Sequence, residues 1–202
     1  VVDEEDNDIT TVNAEITNST SVMLTTVAGN PASIGYVSLG SLSDEVKALK
    51  VDGVEATVDT VKSGDYKVAR PFLLAYKDGS LSDVAQDFLN FILSDDGQAI
   101  IGEEGYISVA EGNTYEASGL SGKIVLAGST SVAPVMEVLA DAYKALNPDV
   151  TIEIQQTGSG AGIESVTSGA VDIGNASRAL SDKEKSAGIE ENIVAIDGIA
   201  VV

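Results

Sequence analysis

No cysteine, histidine or tryptophan occurs in the 202 residues, and only 11 lysines and arginines stand against 32 aspartates and glutamates. The lack of Cys excludes disulfides, thiolate nucleophiles and sulfur-ligated zinc. The lack of His removes the side chain that titrates near neutral pH, and with it the imidazole base of most nucleophilic sites. A formal net charge of −21 repels phosphate backbones and anionic lipid alike, so nucleic acid is not an expected partner and an anionic ligand needs a local site. Apolar runs stop at about ten residues, as in Ile193 to Val202, about half the length of a membrane-spanning helix. No secretory signal is visible at Val1-Val2-Asp3, so a mature or trimmed product is expected. The missing cysteines fit an exported bacterial protein.

What is present is material for a core: 44% of residues are hydrophobic, and the length suits one large domain or two small ones. The opening acidic run places Glu4, Asp6, Asp8 and Glu15 at positions one, three, five and twelve of a calcium-loop frame, but Ile9 stands where the frame needs its turn Gly. An acidic loop without metal is expected there. Helical spacing over Ser19 to Ala28 is followed by a strand at Ile34 to Val37. Ala48 to Val51 and Glu55 to Val58 are expected to form a hairpin across Asp52-Gly53. Pro71 within Val68 to Tyr76 marks an edge strand or a crossing segment. Val84, Ala85, Phe88, Leu89 and Ile92 form a stripe that predicts an amphipathic helix capped at Ser82, with a short helix over Asp96 to Ile101 after it. Glu111 to Gly122 is polar, rich in Gly and Ser, and without pattern, as expected of a linker.

Beyond the linker the pattern is regular. Strand Lys123 to Ala127, helix Ser131 to Leu146, strand Thr151 to Ile154 and a helix from Ile163 give β-α-β-α, hence an α/β fold with parallel pairing. Val171 to Gly174 and Ile193 to Val202 add strands around a charged helical segment, Ser181 to Ala187.

Three loops follow strands here and are expected to place small hydroxyl residues at helix starts: Gly128-Ser129-Thr130-Ser131, Gly158-Ser159-Gly160-Ala161-Gly162 and Asn175-Ala176-Ser177-Arg178. Helix N-termini present unpaired N–H groups and a positive dipole end, which suit phosphate or sulfate even on an acidic protein. Plain N-capping by Ser and Thr is the alternative for each loop. Other motifs fail on their letters. The third Gly after Gly158 falls one residue early for a dinucleotide fingerprint, and Lys123 after Ser121-Gly122 lacks the following hydroxyl of a phosphate loop. Ser131 and Ser159 have no His to activate them, which disfavours a hydrolase. Arg178, beside Ser177, suits either a tetrahedral oxyanion or the acid excess, whereas Arg70 is expected to pair with surface acids. Two glycosylation sequons, at Asn18 and Asn175, are incidental.

Lys123-Ile124-Val125-Leu126-Ala127-Gly128-Ser129-Thr130-Ser131-Val132-Ala133-Pro134, Gly158-Ser159-Gly160, Val171-Asp172-Ile173-Gly174-Asn175-Ala176-Ser177-Arg178 and Asp197 to Val202 resemble the phosphate-binding proteins of bacterial ABC uptake systems. Ala32 to Val37 and Ala69-Arg70-Pro71-Phe72 resemble other parts of the same family. The resemblance implies a periplasmic-binding-protein-like (type II) α/β fold of two lobes, in circularly permuted order. Its first lobe is complete (67–110 and 122–202), its second partial (1–66), and 111–121 join the permuted halves. The family's Gly-Ser-Gly-Thr-Arg loop is absent and would precede Val1, so a trimmed piece that binds weakly by itself is expected.

Carried onto this chain, the family's phosphate contacts fall on Thr130 and Ser131, whose hydroxyl and backbone N–H would donate, and on Ser159 with Gly160. The family's third-loop carboxylate is replaced by Ser177 with Arg178 beside it, which weakens discrimination against sulfate. The resemblance implies capture without catalysis or cofactor, delivery of inorganic phosphate to a membrane permease, and an extracellular or cell-surface location, lipid-anchored in the full-length form, with the periplasm as alternative. Another tetrahedral oxyanion such as sulfate, or a structural domain without ligand, are the competing readings.

Overall fold

A computed structural model describes residues 10–202. Glu4, Asp6 and Asp8 of the calcium-loop frame lie outside them, and Glu15 is exposed in coil. In chain order come α1 (Thr20–Gly29), β1 (Tyr36–Ser38), α2 (Val58–Ser63), β2 (Ala69–Lys77), α3 (Asp83–Ile92) and α4 (Asp95–Glu103). They are followed by β3 (Gly122–Gly128), α5 (Ala133–Leu146), β4 (Val150–Gln156), α6 (Ser159–Thr167), β5 (Ile173–Ala176), α7 (Asp182–Ser186) and β6 (Ile189–Val201). The strands form a single six-stranded sheet in the order β1-β6-β2-β5-β3-β4. β3 pairs in parallel with β4 and β5, as the β-α-β-α pattern requires, while β2 runs antiparallel to β5 and β6. Because β2 precedes the 111–121 segment and its partners follow it, the two sides of that segment share one sheet.

Alternation along β2 sorts its side chains onto two faces. Phe72 and Leu74 join the main core under α3, α4 and α5, with Phe88, Phe91, Met136 and Tyr143. Leu73 and Ala75 face the opposite way, toward Ile163 and Val166 of α6. Burying each large side chain of this kind contributes about 1.5–3 kcal/mol. A third cluster holds Val37, Val61 and Tyr66 against Ala200 and Val202 at the end of β6.

Several expectations are corrected. Pro71 does not mark an edge: β2 lies inside the sheet, and Pro71 is accommodated because β5 pairs only with Leu73 to Ala75, leaving β6 alone beside it. The hairpin shrinks to one bridge between Val51 and Val54 around Asp52-Gly53, both with positive φ. Glu55 to Val58 is not a strand, because Thr57 and Thr60 form a capping box that starts α2 instead. The helix expected from Ile163 begins at Ser159, so the glycine-rich turn is its first turn. The helix expected from Ser131 begins at Ala133.

The linker expected over Glu111 to Gly122 has no regular element before Gly122, where β3 starts, but is pinned. Tyr115 packs edge-on to Phe91 at 5.2 Å and donates to Asp87 at 2.7 Å, and Ser118 donates to the same carboxylate oxygen at 2.8 Å. Asp87 also accepts from Tyr143 of α5 at 2.7 Å, tying the segment to the main core.

Candidate functional site: hydroxyl loops at the strand ends

The loops after β3, β4 and β5 meet at one end of the parallel strands because their backbones bond one another. Gly128 O accepts from the N–H groups of Thr157 at 2.9 Å and Gly158 at 2.7 Å, and Ser129 N–H donates to Asn175 O at 3.1 Å. Glycine is required in this junction. A Cβ on Gly162 would lie 2.5 Å from both Ala127 O and the Gly128 Cα, so α6 can sit against β3 only without one. A Cβ on Gly128 would collide with the carbonyl oxygen of Asn175.

Capping separates these loops from the rest. Among the described residues, a Ser or Thr side chain caps α1, α2, α3, α4 and α7, through Ser19, Thr57, Ser82, Ser94 and Ser181. The two remaining α-helices, α5 and α6, start at the first two candidate loops; α5 follows a turn in which Ser129 Oγ takes the Ser131 N–H, whereas α6 has no side-chain cap. For α6 this leaves the N–H groups of Ser159, Gly160 and Ala161 without an acceptor among the described residues. A Cβ on Gly160 would meet nothing within 4 Å.

The third loop is not a helix start, contrary to expectation. Ser177 N–H donates to Ser159 Oγ at 3.2 Å, and α7 nucleates further on at its own Ser181–Glu184 capping box. Ser159 Oγ and Ser177 Oγ are 3.4 Å apart. Arg178 clamps Glu184 with two hydrogen bonds, at 2.7 and 2.8 Å, so the acid excess is what it meets. That guanidinium, helped by Ser181, holds the Glu184 carboxyl at about 2.

Thr130 and Ser131 are engaged from the other side. Thr130 Oγ1 donates to Asn18 O at 3.0 Å, and Thr20 Oγ1 of α1 lies 3.2 Å from Thr130 Oγ1 and 3.4 Å from Ser131 Oγ. A hydroxyl has one hydrogen. With that of Thr130 on Asn18, Thr20 must donate to Thr130 and Ser131 to Thr20, so all three are taken. The Ser131 N–H, an expected anion donor, bonds Ser129 Oγ at 3.2 Å.

Sequence reasoning missed Thr20 and misplaced Arg70. Arg70 pairs not with a surface acid but with fully buried Asp197, Nε to Oδ2 at 3.0 Å, and its Nη1 donates to Ser177 Oγ at 3.3 Å. Burial pushes the Asp197 carboxyl up, opposed by Arg70, by Ser38 Oγ at 2.7 Å and by Leu39 N–H at 3.2 Å. The apolar run Ile193 to Val202 held this signal, since a lone Asp within it needs a cation. Asn175, between the loops, is fully buried and its side-chain amide has no partner among the described residues, so its sequon is inaccessible. A shallow groove beside the C-terminal end of α1, lined by Val27, Pro31, Ile34 and Leu49, shares no residue with the loops.

A family model described as a PBP superfamily domain matches residues 113–202, which contain all three loops, and so defines the class of the fold. "Phosphate-binding protein PstS 2" of Streptococcus agalactiae is 51% identical over 189 residues, 94% of this chain and 64% of that protein. A crystal structure of a phosphate ABC transporter's phosphate-binding protein from Streptococcus pneumoniae superposes with a TM-score of 0.76 at 46% identity, covering 94% of this chain and 74% of that one. The "Phosphate-binding protein PstS" of Bacillus subtilis is 35% identical over only 87 residues, 42% of this chain and 29% of that protein. The chain belongs to the phosphate-binding protein family. It spans just under two thirds of the length of the Streptococcus agalactiae relative.

Proposed function

We propose that the protein captures inorganic phosphate outside the cell and presents it to the membrane permease of an ABC transporter, without turning it over. One observation carries this reading: α6, which opens at the second candidate loop, has no side-chain cap and leaves the N–H groups of Ser159, Gly160 and Ala161 without an acceptor among the described residues, so Ser159 is not there for capping. The N–H groups of Ser159, Gly160 and Ala161 then hold the anion together with the hydroxyls of Ser159 and Ser177, using the positive end of α6. Neutral donors let a chain of net charge −21 bind an anion locally. Thr130 and Ser131 join the site when their contact with Thr20 opens. The buried, unpaired Asn175 amide beside the loops favours a polar occupant, since an unsatisfied group of this kind costs about 1–3 kcal/mol. No helix among the described residues is long and apolar enough to cross a membrane.

The same reading takes the chain as two lobes, 67–110 with 122–202 and part of a second at 1–66, joined in permuted order through 111–121.

Calorimetric titration with phosphate and with sulfate tests the function. Saturable phosphate binding, with sulfate weaker, is expected. Absence of both leaves a structural domain, and tighter sulfate than phosphate means the third-loop serine has changed the ligand.

A further inference from the structure

The groups around Ser159 and Ser177 have countable hydrogens and lone pairs. The two hydroxyls carry two hydrogens and four lone pairs. Arg70 Nη1 fills one lone pair on Ser177 and Ser177 N–H fills one on Ser159. The contact between the two oxygens uses one hydrogen and one lone pair. Whichever serine donates in that contact, its partner has both lone pairs filled and one hydrogen left. The pair therefore always presents a hydroxyl that can only donate, on an oxygen bound within this chain of contacts to a guanidinium.

Arg70 is fixed in that position from behind. Its Nε is on Asp197, which Ser38 and Leu39 also hold, and its guanidinium lies 5.5 Å from the centre of the Phe72 ring. Its side chain is 18% exposed, so water screens its charge poorly. Tyr106 lies near Asp197, and burial raises its hydroxyl further above neutrality; Glu104 acts on Tyr106 in the same direction.

We infer that Arg70 is a positioning residue of the oxyanion site, acting through Ser177, and that it biases the site toward the doubly charged form of its ligand. The inference rests on the phosphate reading above. Without Arg70 the pair would keep two lone pairs for a protonated oxygen; with Arg70 on Ser177 it keeps one, on the other serine, beside a hydroxyl that can only donate to an ionised oxygen. Arginine is needed because its fork reaches the carboxylate and the hydroxyl together, which an ammonium on a flexible stem does not do.

The test is phosphate affinity at pH 6 and pH 8, on either side of the ligand's second ionisation, for the full chain and for R70Q, R70K and S177A, with thermal melts confirming folding. The affinity gain from pH 6 to pH 8 is expected to shrink roughly tenfold in R70Q. S177A, which leaves the buried ion pair intact, should flatten the gain in the same way, and R70Q added to S177A should change it little further. R70K, whose ammonium cannot hold Asp197 and Ser177 together, should lose most of the gain as R70Q does. Equal loss at both pH values in R70Q and S177A, or no loss, overturns the inference while the phosphate reading stands. A folded wild-type chain that binds no phosphate at either pH overturns that reading and the inference with it.

Discussion

Two hydroxyl pairs share one end of the sheet and differ in the fate of their hydrogens. In the Thr130 and Ser131 pair every hydroxyl hydrogen is taken within the chain, the last acceptor being the carbonyl of Asn18. In the Ser159 and Ser177 pair the oxygens receive bonds from a guanidinium and a backbone N–H, leaving a hydrogen to give. The loop letters of the two pairs look alike, yet one pair closes on α1 and the other is prepared for an acceptor from outside. The difference comes from their partners, Thr20 and Asn18 against Arg70 and Asp197, all distant in sequence.

The largest expected effect is on the open pair. S159A removes a donor to a charged ligand and the acceptor that holds Ser177 N–H, so phosphate affinity should fall by about 10- to 100-fold, at 1.5–3 kcal/mol for such a bond. Calorimetry that finds S159A unchanged would erase the distinction between the pairs. A smaller effect of opposite sign is expected in the closed pair. T20A frees Ser131 and removes a partner of Thr130, so affinity should rise a few-fold, from a contact worth about 1 kcal/mol. If T20A binds more weakly, Thr20 is itself a ligand contact and the closed pair is misread.

The smallest effect concerns Arg178, which lies beside the open pair but is turned to Glu184. E184Q should leave phosphate affinity unchanged and cost about 0.2–1 kcal/mol of stability at pH 7, the range of exposed pairs. Because the folded Glu184 carboxyl sits at about 2, its contribution is complete above the unfolded carboxylate value near 4.3 and is lost as pH falls through that lower value. Urea melts should therefore show the full difference between wild type and E184Q at pH 7 and a diminished one at pH 2, where the folded carboxyl is partly protonated.

Much of this fold is legible in the letters, for reasons specific to each element. The stripe from Val84 to Ile92, with its Ser82 cap, encodes its helix locally, and β3 carries the continuous apolar run Ile124 to Ala127. Pro71 misleads because its tolerance depends on how far β5 extends, a tertiary fact. Glu55 to Val58 misleads because a two-threonine capping box outweighs β-branched composition. At the site, Ser159 is visible as a glycine-flanked hydroxyl and Ser177 as a hydroxyl just after a strand. Thr20 and Arg70 are not, because each reaches the loops from more than 100 positions away in sequence.

The most direct test of the account follows backbone amide resonances while phosphate is titrated into the isotopically labelled chain. Ser159, Gly160, Ala161 and Ser177 should shift first and most, Thr130 and Ser131 less, and Val27 and Leu49 in the groove beside α1 not at all. Saturable shifts confined to that groove, or spread without any at the start of α6, would contradict it.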